Sequence, residues 1–309
     1  MAQAIRAFFD RLGYLEVDTP LLQATTNTDV HIQSVQAQVN GRVCYLQTSP
    51  EFAMKRLLAA GSGSIYQLCH AFRDEERGRV HRSEFSLLEW YSVGMDYRDL
   101  MLQLQQLIRE LVGYDPGFRL LSYTQAFQQA LGVDPVHADD DVIRYALEQH
   151  IPGLVAPDLE RDACLDLLMS QVVAPGFGGF TLVFDYPASQ ASLARLNGAN
   201  PLVAERFELF HGDLELANGF SELTDGREQR RRFMADNAQR KQRGLAEYPL
   251  DEAFLSALDA GLPECAGVAV GLERLMMVLL DTDSLDEVMP FVESQDDVAA
   301  MPKQGRMDD

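Results

Sequence analysis

Phe72-Arg73-Asp74-Glu75, a short loop, and then Arg82-Ser-Glu-Phe85-Ser-Leu-Leu-Glu89-Trp-Tyr91 read as two strands joined by a turn near Gly78. An arginine at a strand end is free to meet an anion, and its planar fork suits phosphate or carboxylate. Glu89 and Tyr91 are two residues apart on the returning strand and share one face. Working outward, Gly267-Val-Ala-Val-Gly271-Leu-Glu-Arg274 is a strand that runs straight into an apolar helix at 273–280. Its glycines let another group approach the backbone. Arg274 opens the helix, where the N-terminus favours anions. Between the two lies Glu208-Leu-Phe-His-Gly-Asp-Leu-Glu215-Leu-Ala-Asn218-Gly-Phe220-Ser-Glu222, an apolar hairpin punctuated by polar residues. Glu208 and Glu215 flank Gly212 and are expected to face each other across the turn. Paired carboxylates are costly without a cation between them, and Mg²⁺ shared with substrate phosphates is the usual solution. Each segment alone also fits an ordinary hairpin or packing strand.

Elsewhere, strands are expected at 43–47, 181–185, 205–210 and 213–216. Helices are expected at 3–13, 50–60 (with Ser49 as N-cap), 97–112, 227–243 and 251–260, and a helical insertion at about 123–175. Strict β-α-β-α alternation is absent, so the fold class is α+β, a mainly antiparallel sheet flanked by helices. The chain contains neither G-x-G-x-x-G after a strand nor G-x-x-x-x-G-K-[ST], which excludes the common dinucleotide and P-loop sites. From residue 293 onward the sequence is polar and reads as a loose tail.

The 309 residues carry 26 basic and 47 acidic side chains, a net charge of −21. Such a chain lacks the basic footprint of a generic nucleic-acid binder. The local exception is 227–243, with seven basic residues against Glu228 and Asp236. No apolar run approaches the roughly 20 residues of a membrane span. Cys44, Cys69, Cys164 and Cys265 form no C-x-x-C pair, which fits a reducing compartment. No signal peptide opens the chain, so a cytoplasmic location is expected.

Taken together, the three segments resemble class II aminoacyl-tRNA synthetases. The Phe72–Tyr91 stretch is similar to their motif 2, Gly267–Arg274 to motif 3, and the run to Pro20 to the end of motif 1, which helps form a dimer. Ser49-Pro-Glu51 followed by Met-Lys55-Arg-Leu, and Asn218-Gly-Phe-Ser-Glu222-Leu, resemble the lysyl branch. The resemblance covers about residues 3–292, and residues 1–292 are read as one catalytic domain that includes the insertion. The core starts at the first residues, leaving no room for the branch's N-terminal anticodon-binding domain. Ala269 stands where those synthetases have glycine. Both features resemble the lysyl-synthetase paralogues that modify elongation factor P with (R)-β-lysine, as do Gln67-Leu-Cys69 and Leu88-Glu89-Trp-Tyr91. Arg82 departs from the family's asparagine.

The resemblance implies an ATP-dependent, AMP-forming ligase. It activates (R)-β-lysine or lysine as an adenylate and transfers it to a lysine side chain of elongation factor P. It implies Arg73 and Arg274 as catalytic. ATP would be bound by Arg73, Glu75, His81, Arg82, Phe85, Glu208, Leu209, Gly271 and Arg274, and Mg²⁺ by Glu208 and Glu215. The amino acid would meet Ser49, Glu51, Glu89, Tyr91, Glu215, Asn218, Phe220, Glu222 and Ala269. A homodimer is implied. The acidic charge weighs against tRNA as the acceptor, although a truncated synthetase charging tRNA and an inactive synthetase-like binding protein are the alternatives. The basic 227–243 segment is a candidate docking patch for the protein acceptor.

Overall fold

The computed structural model describes residues 1–151, 153 and 159–291. The tail read at 293–309 lies outside the described residues. Among those described, the strands are β1 (Leu15–Glu16), β2 (Leu22–Gln23), β3 (Gln36–Val39), β4 (Arg42–Leu46), β5 (Ile65–Phe72), β6 (Glu84–Val93), β7 (Arg119–Ser122), β8 (Phe180–Pro187), β9 (Val203–His211), β10 (Leu214–Ser221) and β11 (Cys265–Gly271). The helices are α1 (Ala2–Leu12), α2 (Glu51–Ala59), α3 (Tyr97–Val112), α4 (Tyr123–Leu131), α5 (Asp140–His150), α6 (Arg161–Leu168), α7 (Gly226–Gln242), α8 (Glu252–Gly261) and α9 (Leu272–Leu280).

One large sheet runs in the order β1-β5-β6-β11-β10-β9-β8-β7. Its inner pairs are antiparallel; only the outermost pairs, β1 with β5 and β7 with β8, are parallel. β2, β4 and β3 form a separate small sheet. The α+β reading therefore holds, and β5 and β6 are the two strands expected on either side of the turn near Gly78. β10 runs five residues past the expected end at Leu216. A bulge between Glu215 and Ala217 breaks the alternation that a sequence reading relies on. The two-residue strands and β7 are too short to leave a periodic signal.

Alternation divides the sheet into two faces. One face packs on α1, α3 and α9 through Phe9, Trp90, Leu104, Phe207, Leu209, Val268 and Leu275. α1 ends at Gly13, whose φ of 74° is the left-handed conformation that glycine adopts without penalty. Leu12, expected on the buried stripe, is exposed instead. The other face has two further cores. Phe52, Phe233 and Phe254 of α2, α7 and α8 close one end. At the other end, the insertion packs Phe127, Leu147 and Leu165 against Val183, Tyr186 and Phe210 of the sheet. The space between these cores is left open.

Candidate active site

The open face is a cleft of about 480 Å³. Four neighbouring strands form its floor, and their register places residues from distant parts of the chain in rows. One row runs Glu89, Ala269, Asn218, Glu208 across β6, β11, β10 and β9. The next runs Tyr91, Gly267, Phe220, Arg206. A Cβ on Gly267 would lie 2.4 Å from the Tyr91 ring and 2.5 Å from Glu222 Oε1. Glycine at 267 is what lets those two side chains meet over the floor.

The amino end of the cleft is dry. Glu89, Tyr91 and Glu222 are each at most 2% exposed. Tyr91 donates its hydroxyl to Glu89 Oε1 at 2.7 Å, and Ser49 donates to Oε2 at 2.7 Å. Burial, and then the Glu51 charge, push the Glu89 carboxyl up to about 7, although Ser49, Tyr91 and Lys55 pull it back. Burial also raises Glu222, against the pull of Lys55. Burial would lower the Lys55 ammonium, but Glu222 and Glu51 outweigh it and hold the group charged. Its Nζ lies 2.5 Å from Glu51 Oε1 and pairs with Glu222 as well.

The opposite end carries the arginines. Arg73 lies 5.0 Å over the Phe85 ring and 3.6 Å from Glu76. Its Nε is buried with no hydrogen-bond partner among the described residues. Arg274 donates to the carbonyls of Val80 at 3.2 Å and Glu215 at 3.0 Å, which fixes it beside the motif 2 loop. Glu273 accepts the Ser86 N–H on both oxygens, at 3.0 and 2.9 Å, tying the helix start to β6. Burial, and then Arg274, push the His81 imidazole down and keep it neutral.

Arg206 joins the two ends. It donates to Glu208 Oε1 at 2.6 Å and to Asn218 Oδ1 at 3.2 Å. Tyr186 donates to Glu208 Oε2 at 2.6 Å. Burial, and then the neighbouring Glu215 charge, raise the Glu208 carboxyl above its usual range. Arg206 and the Tyr186 hydroxyl pull the other way. Among the described residues no group of three or more His, Cys, Asp or Glu could hold a metal. Two carboxylates completed by substrate phosphate oxygens fit the habit of Mg²⁺.

Most expected residues line the cleft: Ser49, Glu51, Arg73, His81, Arg82, Phe85, Glu89, Tyr91, Glu208, Glu215, Asn218, Phe220, Glu222, Ala269, Gly271 and Arg274. Two do not. Glu75 sits at φ 63° on the turn and is exposed outside the cleft lining, whereas Glu76 lines it. Leu209 is fully buried on the opposite sheet face, because it alternates with Glu208. Arg82 lines the cleft, but its guanidinium is engaged by the carbonyls of Gly78 and His81 and by Asp286. Ser49 is not the cap residue of α2, a position held by Pro50, but its Oγ accepts the Glu51 N–H at 3.1 Å. Glu208 pairs in register with Asn218 rather than Glu215, because the turn is centred on Gly212 and Asp213, which pairs Glu215 with Phe210, and the bulge then shifts the partner of Glu208 by one more residue.

The basic 227–243 segment is largely neutralised. Arg230 pairs with Glu252, Arg231 and Arg232 pair with Glu228, Lys241 with Glu247, and Arg243 with Glu160. Arg240 is buried, donating to Asp29 O at 2.8 Å and Gln33 Oε1 at 2.9 Å. It thereby anchors the loop whose Asn27, Asp29 and His31 form part of the cleft wall. Five of the seven basic side chains thus have an acidic partner within the fold.

Sequence reasoning assigns no role to Lys55, Arg206, Tyr186 or Glu76. Two of them leave a signal. Arg206 is two residues before Glu208 on one strand, and Lys55 is four after Glu51 on one helix.

This fold and this cleft belong to one family. The family of class II tRNA synthetases (D, K and N) matches residues 1–295, and the chain belongs to it. The chain is 44% identical over 300 residues to the elongation factor P–(R)-β-lysine ligase of Vibrio cholerae serotype O1, covering 94% of this chain and 92% of that protein. It is also 44% identical over 296 residues to the ligase of the same name from Salmonella paratyphi B, covering 93% and 91%.

Proposed function

We infer that the chain is an ATP-dependent ligase that activates (R)-β-lysine, or lysine, and joins it to a lysine side chain of elongation factor P. Relatives of that name match nearly the whole chain. The observation that carries the chemistry is a single cleft with a dry, triply acidic end at Glu51, Glu89 and Glu222 and an arginine end at Arg73 and Arg274. An amino acid with two ammonium groups fits the first, and a polyphosphate fits the second.

In the first step a carboxylate oxygen of the amino acid attacks the α-phosphorus of ATP, and pyrophosphate leaves. Arg73, with its unpartnered Nε, takes up the charge that builds on the α-phosphate; Arg274 holds the far phosphate. Glu208 and Glu215 would hold Mg²⁺, which supplies charge neutralisation along the polyphosphate. Asn218, with its carbonyl oxygen taken by Arg206, presents its NH₂ to the substrate carboxylate. Phe85 and His81 flank the nucleotide. In the second step the acceptor amine attacks the activated carbonyl, AMP leaves and the amide nitrogen loses a proton.

We place the enzyme in the cytoplasm as a homodimer. Its cysteines are unpaired, and no described helix is long and apolar enough to cross a membrane. Leu12, Leu15, Leu21 and Leu22 are exposed beside one another in sequence, an apolar set suited to a partner copy. Light scattering should find a dimer at micromolar concentration. The decisive test of function is mass spectrometry of elongation factor P after incubation with enzyme, ATP and each lysine isomer. No mass increase with either isomer would exclude the assignment.

A further inference from the structure

Lys55 lies behind the amino end, outside the cleft lining, with 1% of its side chain exposed. Its Nζ meets Glu51 of its own helix at 2.5 Å and Glu222 at the end of β10. Glu89 and Tyr91 of β6 and Cys265 of β11 face the same cluster, and the rings of Phe220 and Phe254 lie 5.3 and 5.8 Å from Nζ. Burial pushes the Tyr91 phenol and the Cys265 thiol upward, so both stay neutral. The groups that can carry charge here are therefore three carboxyls and one ammonium, and burial makes Glu89 and Glu222 ionise fully only when positive charge meets them. A buried ammonium is costly unless paired. Here the pairing uses the same carboxylates that face the substrate.

We propose that Lys55 is a positioning residue that sets the charge demand of the amino-acid pocket: by countering one of three carboxylates, it leaves the pocket short of two positive charges, the number a diamino acid brings. The proposal rests on the function inferred above. It explains discrimination without a contact to substrate. An amino acid with one ammonium leaves a buried carboxylate unpaired, and a site built around pairing rejects such analogues strongly. Without Lys55, Glu222 would have burial and the Glu51 and Glu89 charges acting on it with nothing opposing them. It would then keep its proton to still higher pH and lose its hold on the substrate near neutrality.

The experiment follows amino-acid-dependent ATP–pyrophosphate exchange of the intact chain against pH. Lys55→Met is expected to lose about 100-fold or more in kcat/KM for the amino acid near pH 7, with the KM for ATP unchanged. It should regain about tenfold toward pH 9 as the carboxyls ionise without their internal partner. Lys55→Arg should keep the wild-type acid limb. A loss of equal size at every pH, or no loss, overturns the proposal and leaves Lys55 a packing role. Should Lys55→Met not fold, Lys55→Gln takes the same measurement, and failure of both to fold also overturns it. No exchange by the wild type with either lysine isomer overturns the functional reading and this proposal with it. Normal wild-type exchange beside an unaltered variant overturns this proposal alone.

Discussion

The two ends of the cleft are built on opposite principles. At the amino end, Lys55, Glu222, Glu89 and Tyr91 are almost wholly buried and already paired with one another. At the phosphate end, the Arg73 side chain is 29% exposed, and Arg274 is steadied by backbone carbonyls. Dry, mutually paired charges discriminate, because a ligand lacking one partner leaves a carboxylate stranded. Half-open arginines anchored by the main chain keep donors available for charge that appears only during the reaction. On the function proposed above, one end would choose the substrate and the other would drive the chemistry.

Mutations should separate the two. Arg73→Ala and Arg274→Ala should each lower kcat for pyrophosphate exchange by about two to three orders of magnitude, since each removes a donor to transition-state charge. Near-normal exchange in either would break the contrast at its phosphate end. Gly267→Ala should come next. Its new Cβ collides with Tyr91 and Glu222, so kcat/KM for the amino acid should fall by about 100-fold, roughly what disturbing a buried charge cluster costs. ATP binding, followed by fluorescence titration, should hardly change. An equal loss for both substrates would show that the ends are not independent.

The free enzyme has a Glu89 carboxyl at about 7, and a bound ammonium favours its charged form. Binding of the amino acid therefore releases protons. Its kcat/KM should rise about tenfold from pH 6 to pH 8 and then level off. A profile that falls over this range has the wrong sign for a buried acidic pocket. The smallest effect concerns Ala269, which sits in the row between Glu89 and Asn218. Removing its methyl group in Ala269→Gly should improve use of α-lysine relative to (R)-β-lysine by several-fold, about 1 kcal/mol. Competition between the isomers in pyrophosphate exchange reads this ratio, and an unchanged ratio removes Ala269 from selection.

Much of the phosphate end is legible in the sequence. Arg73 and Arg274 stand at strand and helix ends within short motifs, and β5, β6 and α3 follow from alternation and helical spacing. The residues that depart from expectation each turn on something a period does not encode. Glu75 is lost to a left-handed turn and Leu209 to the side of the strand it takes. The basic side chains of 227–243 meet acids as distant in the chain as Glu160 and Glu252.

The α+β class, the longer helices and strands and the motif residues can be read from the chain alone, because these depend on neighbours within one helix turn or one strand. Only the tertiary structure decided that Glu89, Ala269, Asn218 and Glu208 form one row and that Lys55 pairs with Glu222 across 167 positions of chain. Those meetings depend on strand order, register and a bulge. A one-residue change in register would turn each side chain to the opposite face.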